Sequence, residues 1–186
     1  MQHYSSADTS INSTKLPTTF TRVQWTPGTR NFDLGGGKFD NATNFLKTLG
    51  VDNVVYDPFN RSLQHNKRAL KGAKDAFDTV TVNNVLNVID SLDEINNVIK
   101  RANFVLKPGG IAYFKIYEGD KSGIGRPTKA DCYQQNKTAS FYLPLIRNYF
   151  ENTKRVGDII IAINKRKLSY NPDFPLDIYG NTIVPR

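Results

Sequence analysis

A doubly wound α/β fold with a mostly parallel sheet is predicted by three features of the sequence and by their order. The first is Asn31-Phe-Asp-Leu-Gly-Gly-Gly-Lys-Phe-Asp40, which reads as the end of a buried strand, a glycine turn and the start of a helix. Such a corner lets the backbone take positive φ and lets a ligand come close to the main chain, as at the nucleotide-binding corner of open α/β sheets. The second is the acid that ends the next apolar run, Val51-Asp-Asn-Val-Val-Tyr-Asp57, 24 positions after Asp33. Ligands bind outside the carboxyl ends of parallel strands, where an Asp can accept hydrogen bonds from both hydroxyls of a ribose. The interval is close to the roughly 20 residues expected between a glycine motif and its acid. The third is the alternation that follows: a strand at Phe77-Asp-Thr-Val-Thr-Val82, a capped helix, the turn Lys107-Pro-Gly-Gly110, and a strand at 111–117.

Element by element, residues 1–29 are polar and carry Pro17 and Pro27, yet Leu16, Phe20, Val23 and Trp25 are too apolar for a fully solvated tail. They read either as a partly disordered tail or as a segment on the substrate side. After the glycines, Phe39, Ala42, Phe45, Leu46 and Leu49 share one helix face, Asp40 suits the N-cap, and Gly50 ends the helix as a C′ glycine. Pro58 breaks the second strand, and Phe59 is placed to lie against a flat ring. Residues 61–72 form a basic, weakly amphipathic helix ending at Gly72. Ser91-Leu-Asp-Glu94 is a capping box opening a helix with Leu92, Ile95, Ile99, Ala102 and Leu106 on one face. An apolar helix from about Thr138 to Phe150 is expected to kink or restart at Pro144. Lys154-Arg-Val-Gly-Asp-Ile-Ile-Ile-Ala-Ile163 reads as a terminal hairpin turning at Gly157-Asp158. The organisation expected is a substrate-side segment at 1–29, an α/β domain at 30–167 and an irregular tail at 168–186 packing along the surface.

Composition bounds the function. With 186 residues the chain is expected to be one domain with a sizeable core. It has no apolar run long enough to span a membrane and no secretory signal pattern. A single cysteine, Cys132, forbids an internal disulfide and fits a reducing cytoplasm. Cys132, His3 and His65 are too few for a typical zinc site, so no metal is expected. The net charge of +8 fits acidic partners, nucleic acid among them, and equally fits a solvated basic surface.

The glycine corner is not a full dinucleotide fingerprint. Gly35 and Gly37 fit its first two glycines, but the third falls on Asp40, whose carboxylate repels a pyrophosphate drawn to the same helix N-terminus. A ligand with a nucleoside and a positive charge, such as S-adenosylmethionine, fits better than NAD.

Asp33-Leu-Gly-Gly-Gly resembles the first motif of class I S-adenosylmethionine-dependent methyltransferases, with Phe39 at the position of its last glycine. "Leu-Lys-Pro-Gly-Gly" before a strand resembles a secondary signature of the same family, and the chain is similar along nearly its whole length to short, stand-alone members from bacteria and phages. The resemblance implies a Rossmann-like sheet with an antiparallel last strand. It implies S-adenosylmethionine held by Asp33, Gly35, Gly36, Gly37, Asp57, Pro58, Phe59, Asn83, Asn84 and Val85. Asn83-Asn-Val-Leu-Asn-Val-Ile89 sits at the family's fourth motif, where Asn83 and Asn84 also read as ordinary strand-end residues. The Asn/Asp-Pro-Pro-aromatic sequence of amino-methylating nucleic-acid enzymes is missing, which counts against adenine or cytosine N-methylation. The chain departs from the family between Asp57 and Asp78, 21 positions that hold one helix and its loops. The third strand is therefore expected to be absent, and with it part of the adenine pocket.

The segment before the first strand often closes over the substrate in this family, which implicates 9–16 and Asn12. The polar loop Glu118-Gly-Asp-Lys-Ser-Gly-Ile-Gly-Arg126 leaves the strand next to the expected methyl position, so Tyr117, Glu118 and Tyr133 are acceptor-side candidates. Methyl transfer makes a catalytic acid or base optional. The candidates for one are Glu118, Asp120 and His65, of which His65 also reads as an exposed helix residue and the two acids as loop-shaping groups. The function expected is methyl transfer to an unassigned small molecule or nucleic acid. The alternatives are another S-adenosylmethionine-consuming reaction (aminopropyl transfer or cleavage) and a non-catalytic module binding S-adenosylmethionine or nucleic acid.

Overall fold

The computed structural model describes residues 2–8, 14–176 and 182–183. In chain order its elements are α1 (Thr18–Arg22), β1 (Arg30–Leu34), α2 (Asn41–Thr48), β2 (Asp52–Tyr56), α3 (Leu63–Leu70), β3 (Phe77–Asn83), α4 (Leu92–Val105), β4 (Leu106–Lys115), β5 (Arg126–Pro127), β6 (Tyr133–Gln134), α5 (Ala139–Arg147), β7 (Phe150–Val156), β8 (Ile159–Lys165), β9 (Phe174–Pro175) and β10 (Thr182–Ile183). Six strands form the main sheet in the order β2-β1-β3-β4-β8-β7. The first four are parallel, and β8 is antiparallel to both of its neighbours. No strand lies between Pro58 and Phe77, where α3 and its turns make the whole crossing. The sheet is thus trimmed at β2, as the short interval in the sequence requires.

Successive crossovers leave β1 in opposite directions, which puts helices on both faces of the sheet. Phe20 of α1, with Ala42 and Leu46 of α2 and Val51, forms one buried cluster. A larger one joins Leu70 of α3, Ile95 and Ile99 of α4, and Tyr142 and Ile146 of α5 to Phe32, Val80 and Phe114 of the sheet. Burying side chains of this size is worth ~1.5–3 kcal/mol each, which is what fixes the layers.

Local differences from the sequence expectation have physical reasons. Lys107-Pro-Gly-Gly110 does not precede the strand but lies within it as a bulge. Leu106 faces Phe77 and Ile111 faces Thr79, so β4 carries three extra residues there. Gly110 is needed for this, because a Cβ on it would sit 2.8 Å from the Asp78 carbonyl oxygen. The helix α5 runs through Pro144 without restarting, at the cost of one hydrogen bond to the Ser140 carbonyl. Asp40 stands at the N-cap of α2 but makes no side-chain cap bond; its carboxylate pairs with Arg61 instead. Ser91 accepts from the Glu94 N–H at 3.3 Å, yet Glu94 turns its carboxylate to Arg101 rather than back to Ser91.

The stretch after Lys165 does more than run along the surface. Phe174 is fully buried and stacks edge-on against Tyr56, and β9 pairs with β10. Among the described residues no helix is long and apolar enough to cross a membrane.

Candidate functional site

A cleft opens at the carboxyl edge of β1 and β3, where the crossovers diverge. Its floor is the glycine corner. Gly35 has φ +78°, and a Cβ there would lie 2.6 Å from a methyl of Val85. Gly36 is excluded from carrying a side chain for another reason: its Cβ would meet the Asp33 carboxylate at 2.5 Å and Val55 at 2.9 Å. Gly37 has φ +77° and donates its N–H to Asp57 Oδ2 at 2.9 Å. Gly35 and Gly36 cannot carry a Cβ without moving Val85, Asp33 or Val55, and the positive φ of Gly35 and Gly37 favours glycine at both.

Asp57 lies just beyond β2 and is 4% exposed. Its Oδ1 accepts from the N–H groups of Phe59 and Asn60, at 3.0 and 3.1 Å, and its Oδ2 accepts from Gly37 and, at 3.2 Å, from the Asn60 side chain. Burial raises its pKa, and these N–H bonds oppose the rise. Asn66 of α3 holds its backbone: Asn66 Oδ1 accepts from the Asp57 N–H at 3.0 Å while Nδ2 donates to the Asp57 carbonyl at 2.9 Å.

Asp33, at the end of β1, is 2% exposed. Burial pushes its carboxyl up to about 7, the Thr81 hydroxyl that donates to it at 2.9 Å pulls it down, and nearby Asp57 pushes it up again. Arg61 clamps the corner from outside, donating to the carbonyls of Gly37 (2.7 Å) and Phe39 (2.9 Å) and pairing with Asp40 at 2.8 Å. At the end of β3, Asn83 Oδ1 accepts from the Thr19 hydroxyl at 2.6 Å, whereas its Nδ2 is buried with no partner among the described residues. Asn84 takes φ +56°, and its buried Oδ1 likewise has no partner there. Such groups are costly to leave unmade, and a ligand is one way to complete them.

Two cavities flank the corner. The larger, about 90 Å³, is lined mainly by apolar groups such as Leu34, Val85, Ile89 and Val98, with Asp57 at its edge. Gly35, Pro58, Phe59 and Asn84 line it too. The smaller, about 20 Å³, is bounded by the polar Asp33, Asn83 and Lys15, by Gly36, and by apolar groups such as Phe20 and Phe39. Of the ten residues that the resemblance implicated in cofactor binding, nine therefore face one cavity or the other. Gly37 faces neither and acts on Asp57 through its N–H.

The acceptor-side and catalytic candidates are placed differently. Glu118 accepts the Ala139 N–H at 2.8 Å and so caps α5. Asp120 accepts from the Ser122 N–H at 2.9 Å and pairs with Arg126. His65 sits 2.8 Å from the Val55 carbonyl. None of the three borders either cavity. Tyr117 is 61% exposed, and its carbonyl accepts from Gln134 at 2.9 Å. Tyr133 stacks on Tyr4 with ring centroids 5.4 Å apart. Asn12 lies outside the described residues. The N-terminal segment reaches the loop through Ser6, which donates its N–H to Asp131 O, and the Ser6 hydroxyl donates to Val88 O; of the stretch 9–16, residues 9–13 lie outside the described residues.

Sequence reasoning missed Arg61, Asn66 and Pro175. Arg61 and Asn66 fell within the basic, weakly amphipathic helix expected over 61–72, with no role assigned to either. The only available signal was an Asn on the face of α3 that also carries Ala69 and Leu70.

No protein-family model matches the chain, and no curated protein matches it in sequence. Solved structures match in fold. The architecture is that of class I methyltransferases. A Burkholderia thailandensis 1,6-didemethyltoxoflavin-N1-methyltransferase, solved with bound 1,6-didemethyltoxoflavin and S-adenosylhomocysteine, aligns over 76% of this chain and 72% of its own, with a TM-score of 0.54 at 17% identity. An S-adenosylmethionine-dependent methyltransferase from Mesorhizobium loti aligns over 83% of this chain and 98% of its own (TM-score 0.50, 13% identity). The [4+2]-cyclase SpnF also aligns, over 72% of this chain and 56% of its own (TM-score 0.52, 16% identity).

Proposed function

We propose that this chain binds S-adenosylmethionine across the two cavities and transfers its methyl group to an acceptor. The observation that carries the reading is the pairing of an apolar slot edged by a carboxylate with a small mixed pocket holding a second, buried carboxylate. The slot suits a purine against Val85 and Ile89 and a ribose at Asp57. Asp57 already accepts four N–H bonds, so a ribose hydroxyl there would displace the Asn60 amide, the longest of them. The smaller pocket suits the amino-acid end, with Asp33 facing an ammonium, and on the carboxylate side Lys15 and the Asn83 Nδ2, which has no partner among the described residues. A Cβ at Gly35 or Gly36 would press on Val85 or Asp33, two of the side chains that line these cavities. The donor set fits the ligand on these counts.

S-adenosylmethionine supplies an already activated sulfonium methyl, so the protein's part is positioning and exclusion of water. That Glu118, Asp120 and His65 are all engaged in structural bonds accords with a site using no general base. It also accords with a second reading, in which the site binds the same ligand without methyl transfer, and a [4+2]-cyclase on this fold supports keeping it. Calorimetry with S-adenosylhomocysteine, with NAD as the negative control, tests the binding. Labelled methyl transfer to fractionated metabolites, protein, RNA and DNA tests the reaction, nucleic acid being included because of the +8 charge. Heat with S-adenosylhomocysteine but no labelled product would favour the second reading. Absence of heat at millimolar ligand would remove both.

A further inference from the structure

The trimmed edge of the sheet leaves the larger cavity open on the side of β2, where a third strand and its following loop would otherwise close it. The structure closes it with chain from a distant part of the sequence. After β8 the backbone returns across the helical face to lie between α3 and α4. Arg101 of α4, only 6% exposed, donates to the Asp173 carbonyl at 2.6 Å. The Tyr56 hydroxyl donates to the Pro175 carbonyl, and Phe174 is buried against Tyr56 and Phe104. Pro175 then borders the same cavity as Asp57 and Phe59. The segment does not restore the missing strand, since β9 pairs with β10 and not with the free edge of β2. It replaces that strand's role as a wall.

We infer that residues 173–176 are the third wall of the nucleoside cavity and a binding element for the nucleoside half of the ligand, in place of the absent third strand. The inference rests on the reading of this site as an S-adenosylmethionine site, and it assigns a role to a segment outside the glycine corner and its acid. Two anchors converge on one short stretch, the Arg101 guanidinium and the Tyr56 hydroxyl, and the stretch's own Phe174 ring is buried against Tyr56 and Phe104. Arg101 and Tyr56 also line the cavity. Ligand contact with Pro175 is therefore transmitted to a rigid support.

The test separates the two halves of the ligand. Affinities for adenosine and for S-adenosylhomocysteine are measured by calorimetry on the full chain, on Pro175→Gly and on Tyr56→Phe, with hydrogen exchange followed at 173–176. Tyr56→Phe keeps the ring and removes only the bond to Pro175, so it guards against a Pro175 variant that fails to fold. Both variants should weaken adenosine and S-adenosylhomocysteine by the same factor, roughly tenfold for Pro175→Gly and less for Tyr56→Phe. Ligand should slow exchange at 173–176 in the unsubstituted chain. Unchanged affinities with exchange indifferent to ligand would overturn the wall while leaving the methyltransferase reading intact. So would a loss confined to S-adenosylhomocysteine, because the homocysteine end lies across the corner from Pro175. If the unsubstituted chain binds neither ligand, the wall and the reading fall together.

Discussion

The glycine corner and the loop from Tyr117 to Lys137 both gather polar side chains at the carboxyl edge of the sheet, and they use them in opposite ways. In the loop the acids are spent on the loop itself. Glu118 caps α5, Asp120 binds the Ser122 N–H and Arg126, and Asn136 donates to the Ile124 carbonyl at 2.9 Å. At the corner, two carboxylates are buried, with Asp57 close enough to help raise the pKa of Asp33, and one amide atom each of Asn83 and Asn84 has no partner among the described residues. Polar groups satisfied by their own neighbours hold a shape. Buried groups left charged against desolvation, or left unpaired, mark where something else binds. By that criterion the corner is the proposed ligand site, and the loop is a frame beside it.

The strongest way to break this contrast is to fill the corner. Gly35→Ala puts a methyl at φ +78°, which costs about 1–2 kcal/mol in backbone strain alone, and drives it against Val85. S-adenosylhomocysteine affinity should fall roughly 100-fold or more, equivalent to about 2.7 kcal/mol, while circular dichroism still reports the fold. Affinity within a factor of three of the unsubstituted chain would mean that the ligand does not approach the main chain there.

The next effect is smaller. Asp57→Ala removes the acceptor for a ribose and also frees the Gly37, Phe59 and Asn60 N–H groups. A loss of about 1–3 kcal/mol in binding is expected for each charge-assisted bond to the ligand, and a lower melting temperature accompanies it because the corner loses its tie to β2. Titrating S-adenosylhomocysteine into this variant decides it, and near-normal affinity would take Asp57 out of the site.

What made the corner legible in the sequence was short-range: glycines that only a tight turn needs, an acid at a set interval, apolar residues at helical and strand spacing. The trimmed sheet was legible for the same kind of reason, since 21 positions cannot hold two more elements. The supports were not. Arg61 reaches the Gly37 carbonyl from 24 residues away, and Pro175 meets Tyr56 across 119. Neither pairing leaves a periodic trace, because one long side chain or one turn of irregular chain makes the contact. The acids of the loop misled for a related reason: a carboxylate that will cap a helix and one that will meet a substrate look alike until the N–H of Ala139 is in place.

A third way to sharpen the contrast uses pH. Asp33 is held near 7, well above its ordinary value of 3.8, so the folded chain binds a proton that the unfolded chain releases between those values. Stability from this group is therefore fully present below about pH 4 and is lost as pH rises through about 7, with a slope approaching ~1.4 kcal/mol per pH unit in between. A ligand ammonium beside Asp33 favours its ionised form. Affinity for S-adenosylhomocysteine should thus rise with pH between 6 and 8, by about tenfold or less, with proton release detectable as a buffer-dependent heat. Asp33→Asn keeps an acceptor for Thr81 and should flatten both profiles. A profile that stays sloped in that variant would assign the titration to another group.

The smallest effect is expected in the loop, and it is the one that most directly opposes the two regions. Glu118 was a candidate for catalysis on its position after β4, yet its carboxylate meets the first N–H of α5 and, at 3.5 Å, the Lys121 ammonium. Losing a side-chain cap costs ~0.5–2 kcal/mol of stability, and the exposed pair with Lys121 adds little. Glu118→Ala should therefore lower the melting temperature modestly while S-adenosylhomocysteine affinity stays within a factor of two. Glu118→Gln, which keeps an oxygen for the Ala139 N–H, should recover most of the stability. A catalytic carboxylate behaves otherwise: once an acceptor is known, both variants would lose turnover, and Gln would not rescue it. Rescue of stability together with full turnover in Glu118→Gln would leave Glu118 as a helix cap.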